Sequence, residues 1–192
     1  AVGLQAAEKA KIIPGETALV MGCGPIGLVI ALTALAGGCS KVFIADIVSE
    51  KLRMCENYKN LIPIDLVNQN PVEIINQHTD DWGVNIIFEA SGATKAYDVI
   101  FDAICPAGKV VIVGNPMNSI PMDFATLLTK EIEIKTVFRY AHQYDRAISL
   151  LSSNKIDVKP MITDTVDFDD SIKAFERAAK NLPEDVKIQI RL

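Results

Sequence analysis

The sequence predicts an α/β fold, a doubly wound parallel six-stranded sheet with helices on both faces. Three observations predict it. Short apolar runs with the length of buried strands alternate with longer segments of helical character. The runs are too apolar to leave their sheet a wet face, which is the mark of parallel pairing. The first run passes straight into a glycine-rich turn that opens a helix, as a crossover connection requires.

Val2 to Ala10 reads as a short helix, stopped by the Pro14-Gly15 turn. Thr17 to Met21 is the first strand, and Pro25 to Ala36 is a helix closed by Gly37-Gly38. Lys41 to Ala45 is the second strand. Ser49 is expected to cap a helix over Glu50 to Tyr58, with Asn60 in a left-handed turn behind it. Leu61 to Ile64 is a strand, Pro71 to His78 a helix with proline in its first turn, and Val84 to Phe88 a strand. Ala93 to Ile104 is read as helix, Lys109 to Val113 as strand, Asp123 to Lys130 as helix and Ile132 to Val137 as the sixth strand. After Phe138 the simple alternation ends. Helices are expected over Gln143 to Leu151 and Asp169 to Lys180, and strands over Val158 to Ile162 and Val186 to Ile190. Thr163 to Asp167 is expected to be a polar connection. The break divides the chain into a sheet domain, 1–140, and a C-terminal segment, 141–192.

Composition narrows the function classes. The chain has 192 residues, 49% hydrophobic and 22% charged, enough to bury a core of ordinary size. Its net charge is -5 and no block of Lys or Arg stands out, which excludes the basic footprint of a nucleic-acid or anionic-membrane partner. The longest apolar stretch, Ile26 to Ala36, is shorter than the roughly 20 residues of a membrane span. The four cysteines, Cys23, Cys39, Cys55 and Cys105, include no C-x-x-C pair and read as isolated thiols of a cytoplasmic protein. Neither His78 nor His142 stands near a cysteine or in a metal-binding pattern, so no metal site is expected. The start has no signal-peptide pattern. It lacks an initiator methionine and lies inside a helical segment, as in a piece of a longer protein.

The glycine-rich turn is Gly22-Cys23-Gly24-Pro25-Ile26-Gly27. It follows a strand and opens a helix. A second strand completes a unit of roughly 30 residues and ends in an acid, Asp46, at about the 20-residue distance of the dinucleotide-binding (Rossmann) fingerprint. Gly22 permits the tight turn, Gly24 lets the backbone approach a pyrophosphate, and Gly27 lets the helix pack against the strand. The amides at the helix start receive the phosphate charge. Asp46 suits ribose hydroxyls and repels a 2′-phosphate, which favours NAD over NADP. Ile47 is apolar and suited to lie beside adenine, whereas Lys51, one helical turn further, is a cation within possible reach of a phosphate. The same loop and acid also serve S-adenosylmethionine and FAD proteins, and a regulator that holds NAD without catalysis would show them too.

Further motifs carry a resemblance. They are Val2-Gly3-Leu4, Phe88-Glu89-Ala90-Ser91-Gly92, Gly108 to Gly114, Val137-Phe138-Arg139-Tyr140 and Asp157 to Thr163. With the glycine loop, they resemble the C-terminal portion of medium-chain zinc-dependent dehydrogenases, in the sorbitol (polyol) and xylitol dehydrogenase branch, over nearly the whole chain. The resemblance implies oxidation of a secondary alcohol such as xylitol or sorbitol, with hydride passing to NAD. It implies a zinc ion held by a GroES-like catalytic domain preceding Ala1, which the segment 141–192 would complete, so that this chain alone would be inactive. It places Ser91 and Gly92 beside the cofactor, the backbones of Val113, Gly114 and Phe138 near the nicotinamide, and Arg139 and Tyr140 toward the substrate. It also implies a homo-oligomer, dimer or tetramer, paired through a sheet edge near Lys109 to Val113 and Ser119 to Met122. Cys23 departs from the usual alanine, and a thiol so near a helix N-terminus would be a candidate for reactivity.

Overall fold

A computed structural model describes residues 1–180 and 182–192. Strands β1 (Thr17–Met21), β2 (Lys41–Asp46), β3 (Leu61–Asp65), β4 (Val84–Glu89), β5 (Ile104–Ile112) and β6 (Glu133–Thr136) form one sheet in the order β3-β2-β1-β4-β5-β6. Every pairing is parallel. The order reverses between β1 and β4, which opens a crevice beyond the carboxyl ends of those strands, the place where open α/β sheets take ligands. Helices α1 (Val2–Ala10), α2 (Pro25–Gly37), α3 (Ser49–Leu52), α4 (Pro71–Thr79), α5 (Tyr97–Ala103) and α6 (Phe124–Thr129) make the connections and flank the sheet.

Strand periodicity divides the core. Val20, Val42, Ile44, Ile86, Phe88 and Val111 bury themselves on one face against α1 and α2, with Ala6, Ala10, Leu28 and Ile30. Leu19, Met21, Phe43, Ile87 and Val110 point the other way, onto Ile75 of α4 and Ile100 of α5. Each large side chain removed from water contributes about 1.5–3 kcal/mol, so both faces must stay covered. On the first face α1 lies very close to α2: a methyl group on Gly3 would stand 2.6 Å from the Val29 carbonyl oxygen.

Several elements differ from the sequence expectation. The third helix is short. It gives way to a 3-10 turn, Arg53–Asn57, whose tighter winding carries Cys55 into the core beside Cys23. Ser49 is not its cap. It lies in the first turn, and Asp46 instead accepts from the Val48 amide at 2.9 Å. The helix expected over Ala93 to Ile104 opens as a 3-10 turn, Thr94–Ala96, and stops at Ala103. Ile104 already pairs with Val84, and an irregularity in register separates this pair from Ile86–Lys109. Lys130 holds the corner by donating to the carbonyls of Phe101 and Ile104, at 2.7 and 2.9 Å. β5 therefore lies between β4 and β6, and the edge expected near Lys109 to Val113 is internal; the sheet's edges are β3 and β6.

The C-terminal segment contains α7 (Tyr144–Ser152), β7 (Ile162–Asp167), α8 (Ser171–Ala179) and β8 (Lys187–Arg191), and β7 and β8 form a separate parallel pair. The expected strand over Val158 to Ile162 is mostly a 3-10 turn, Lys159–Met161, because Pro160 has no amide for a ladder. The supposed polar connection is the strand, its half-buried Asp164 and Val166 alternating with exposed Thr165 and Asp167. Arg177 of α8 locks the unit by ion pairs to Asp164 and Asp185, both at 2.6 Å. Met161 joins the main core, with Ile156, Val158 and Val186 packed on it. Buried Gln143 donates to Gln5 and Glu8 of α1, and Arg146 forms an ion pair with Glu8.

A methyl group on Gly27 would stand 1.8 Å from the Gly22 carbonyl oxygen, whereas one on Gly24 would meet nothing within 4 Å. Gly27→Ala should therefore lose about 1–3 kcal/mol of stability in urea unfolding, and Gly24→Ala less than about 0.5 kcal/mol. Equal midpoints for the two variants would contradict this packing.

Candidate cofactor-binding site

The glycine loop joins β1 to α2 at the crevice. Gly22 has φ 105°, a left-handed conformation closed to most side chains. Its amide donates to the Ala45 carbonyl at 2.7 Å, tying the loop to β2. Gly24 is the N-cap of α2 and Pro25 its first residue, and no side chain caps this end. The first amides of a helix have no partner inside it, so those of Ile26 and Gly27 are donors for an anion, reinforced by the helix dipole. Open space at Gly24 and the close seat of Gly27 leave a donor-lined cradle that fits a pyrophosphate.

Asp46 stands at the end of β2, next to this cradle. Its Oδ2 accepts from the Cys23 amide at 2.6 Å and its Oδ1 from the Val48 amide at 2.9 Å. These bonds fix the carboxylate, and a carboxylate has about four lone-pair sites in all, so acceptor capacity remains for a pair of hydroxyls. Ile47 is 69% exposed beside it. Lys51 is half-buried in α3, and its carbonyl oxygen accepts from the Cys23 thiol at 3.4 Å. That thiol is shielded from solvent. It is fully buried, 3.7 Å from the Cys55 sulfur, and the hydrogen bond with Cys55, burial and nearby Asp46 push its pKa far above the ordinary thiol range.

Across the reversal point the other predicted residues come together. Ser91 and Gly92 form a turn at the end of β4, close enough that a methyl group on Gly22 would lie 3.1 Å from the Ser91 nitrogen. Val113 and Gly114 follow β5, and both their amides donate to the Glu89 carbonyl at 2.8 Å. Glu89 lies within the Phe88 to Gly92 motif, and nothing in that motif alone assigns it a role. Its side chain is fully buried, and its Oε1 accepts from the Ser91 amide, the Ser91 hydroxyl and the Gly92 amide at 2.8, 2.5 and 2.9 Å. An acid closing a mostly apolar strand, two residues before Ser91-Gly92, was the available signal.

Phe138, Arg139 and Tyr140 leave the sheet at the same carboxyl side, since the preceding Val137 amide donates to Ile112 at 2.8 Å. All three are exposed. The Arg139 guanidinium lies over the Phe138 ring, 5.4 Å from its centroid, and the Tyr140 hydroxyl is 2.8 Å from that of Tyr144 in α7. Among the described residues no three His, Cys, Asp or Glu side chains converge as metal ligands. The residues present thus fit a dinucleotide and do not fit a zinc ion.

Over 181 residues, 94% of this chain and 53% of the relative, the chain is 44% identical to a D-xylulose reductase of Morganella morganii. It is 32% identical over 190 residues, 98% of the chain and 54% of the relative, to a sorbitol dehydrogenase of Bacillus subtilis. The fold superimposes with a TM-score of 0.91 and 30% identity on an oxidoreductase/dehydrogenase of unknown specificity from Escherichia coli, covering 100% of this chain and 56% of that one. The chain spans about half the length of the curated relatives it matches. Residues 25–153 match the family described as zinc-binding dehydrogenase, and the chain belongs to that family of nicotinamide-cofactor enzymes.

Proposed function

We propose that this chain is the cofactor-holding part of an NAD-dependent polyol dehydrogenase. The observation that carries the reading is the uncapped, glycine-lined start of α2 beside a carboxylate fixed by two amides. The cradle takes the pyrophosphate, and Asp46 takes the adenosine ribose hydroxyls. Fixed negative charge at Asp46, followed by uncharged Ile47, favours NAD over NADP; Lys51 lies near enough to border the same end. Ser91, Gly92, Val113, Gly114 and Phe138 line the nicotinamide side, and Arg139 and Tyr140 face the polyol. Bound NAD supplies the hydride acceptor.

The names of the two relatives motivate the substrate class, because reduction of a keto-sugar and oxidation of a polyol are one reaction in two directions. Residues 1–140 are the cofactor domain, and residues 141–192 belong with a GroES-like catalytic domain elsewhere in the whole protein, where the zinc ligands would lie. Four buried free thiols suit the cytoplasm. Exposed Phe124 and Leu128 of α6, and Ile134 of edge strand β6, suit a homo-oligomer.

Calorimetric titration tests the reading. NADH should bind saturably and S-adenosylmethionine should not; the reverse would overturn the assignment. Gly24→Ala should weaken NADH binding about tenfold or more through its new methyl group in the cradle, and an unchanged affinity would remove the pyrophosphate from this loop. Asp46→Arg should move the preference toward NADPH, and an unchanged NADH to NADPH ratio would remove the ribose from Asp46. Zinc-dependent oxidation of xylitol or sorbitol should be undetectable with these 192 residues alone; measurable turnover would place the catalytic groups within them.

A further inference from the structure

We propose that Glu89 is a positioning residue for the nicotinamide half of the site, acting through the turns that follow β4 and β5. The inference rests on the NAD reading above and extends it to a residue which that reading does not use. Glu89 is fully buried at the carboxyl end of β4, and among the described residues no basic side chain forms an ion pair with it. A carboxyl group so placed is costly to a core, and an apolar side chain would fill the end of a buried strand at less expense. What the carboxyl group does there is local and directional.

Four backbone amides converge on this one residue. Those of Ser91 and Gly92 donate to Oε1, and those of Val113 and Gly114 donate to the main-chain carbonyl. The Ser91 hydroxyl adds a fifth donor to the residue and the third on Oε1, while Oε2 has no hydrogen-bond partner among the described residues. The two turns are also pressed together at that oxygen: a methyl group on Gly114 would stand 2.5 Å from Oε2 and 2.3 Å from the Gly92 nitrogen. Glu89 therefore fixes the distance between the two turns. It also directs their amides inward, so this wall has spent its donors, in contrast to the donor-lined glycine loop. In a sheet of this order the β1-β2-β3 half serves the adenosine and the β4-β5-β6 half the nicotinamide. The donors that Glu89 accepts from belong to turns of the second half, while its strand also pairs with β1 at Met21.

A glutamine at this position keeps one oxygen but places an NH2 group against a wall that is already crowded with amide donors. In the 192-residue chain, Glu89→Gln should weaken NADH binding about tenfold. Affinity for ADP-ribose, which lacks the nicotinamide, should stay within about twofold. Both are read by calorimetry, with the thermal midpoint measured alongside. Equal loss of both affinities would mean a merely structural role, and no loss of either would mean no role; each overturns the proposal. Ser91→Ala guards against a variant that does not fold, because Ser91 is exposed and only its hydroxyl is lost, which donates to Glu89 and accepts from the Ala93 amide. It should weaken NADH alone by about two- to fivefold, and an unchanged affinity would count against Glu89. Failure of the unsubstituted chain to bind either NADH or ADP-ribose would instead overturn the NAD reading itself.

Discussion

The first turn of α2 rests directly on the end of β1, and the rest of the site depends on that contact. Gly27 lies so near the Gly22 carbonyl that no side chain fits between them. The approach is possible because Gly22 turns the chain with a positive φ, and it brings the helix amides to the mouth of the crevice. Around this point the core leaves little freedom. β1 is buried along four of its five residues, with β2 on one side and β4 on the other. The loop's position is thus set by the sheet, and its donors are aimed before any ligand arrives.

Two acids at the carboxyl edge are used in opposite ways. Asp46 is partly exposed and spends two of its acceptor sites on the Cys23 and Val48 amides, which orients the remainder outward. Glu89 is fully buried and spends itself inward, on the turns beyond β4 and β5. One acid presents charge to the crevice and the other shapes its wall. The same local geometry makes Cys23 a packing residue: its thiol faces Cys55 and the Lys51 carbonyl, away from the α2 amides.

Much of this was legible in the sequence where local rules act alone. The six parallel strands followed from apolar runs and their spacing, and the loop with Asp46 followed from a motif whose chemistry demands those residues. What was not legible depends on tertiary partners. Ser49 has the residue type of a cap, but it lies inside the first turn, behind Val48 at the N-cap position, and caps no helix amide. Ile104 looked helical, yet Val84 recruits it into a strand. β7 carries polar residues at alternate positions and has the local character of a connection, because its support comes from Arg177 and β8, later in the chain. Glu89 stood inside a recognised motif, but its role is visible only once the turns of β4 and β5 are seen to share it.

The C-terminal segment is attached to the sheet domain through α1 and the Met161 cluster, so the short helix at the start of the chain belongs as much to the junction as to the sheet. The central claim, that the crevice is a dinucleotide site with a phosphate cradle and two distinct halves, is tested most directly by amide chemical-shift mapping during titration with NAD+. The account predicts saturable shifts at Ile26, Gly27, Val48, Ser91, Gly92, Val113 and Gly114, with β7 and α8 unmoved. Shifts confined to residues away from the carboxyl ends of β1, β2, β4 and β5, or none at saturating NAD+, would contradict it.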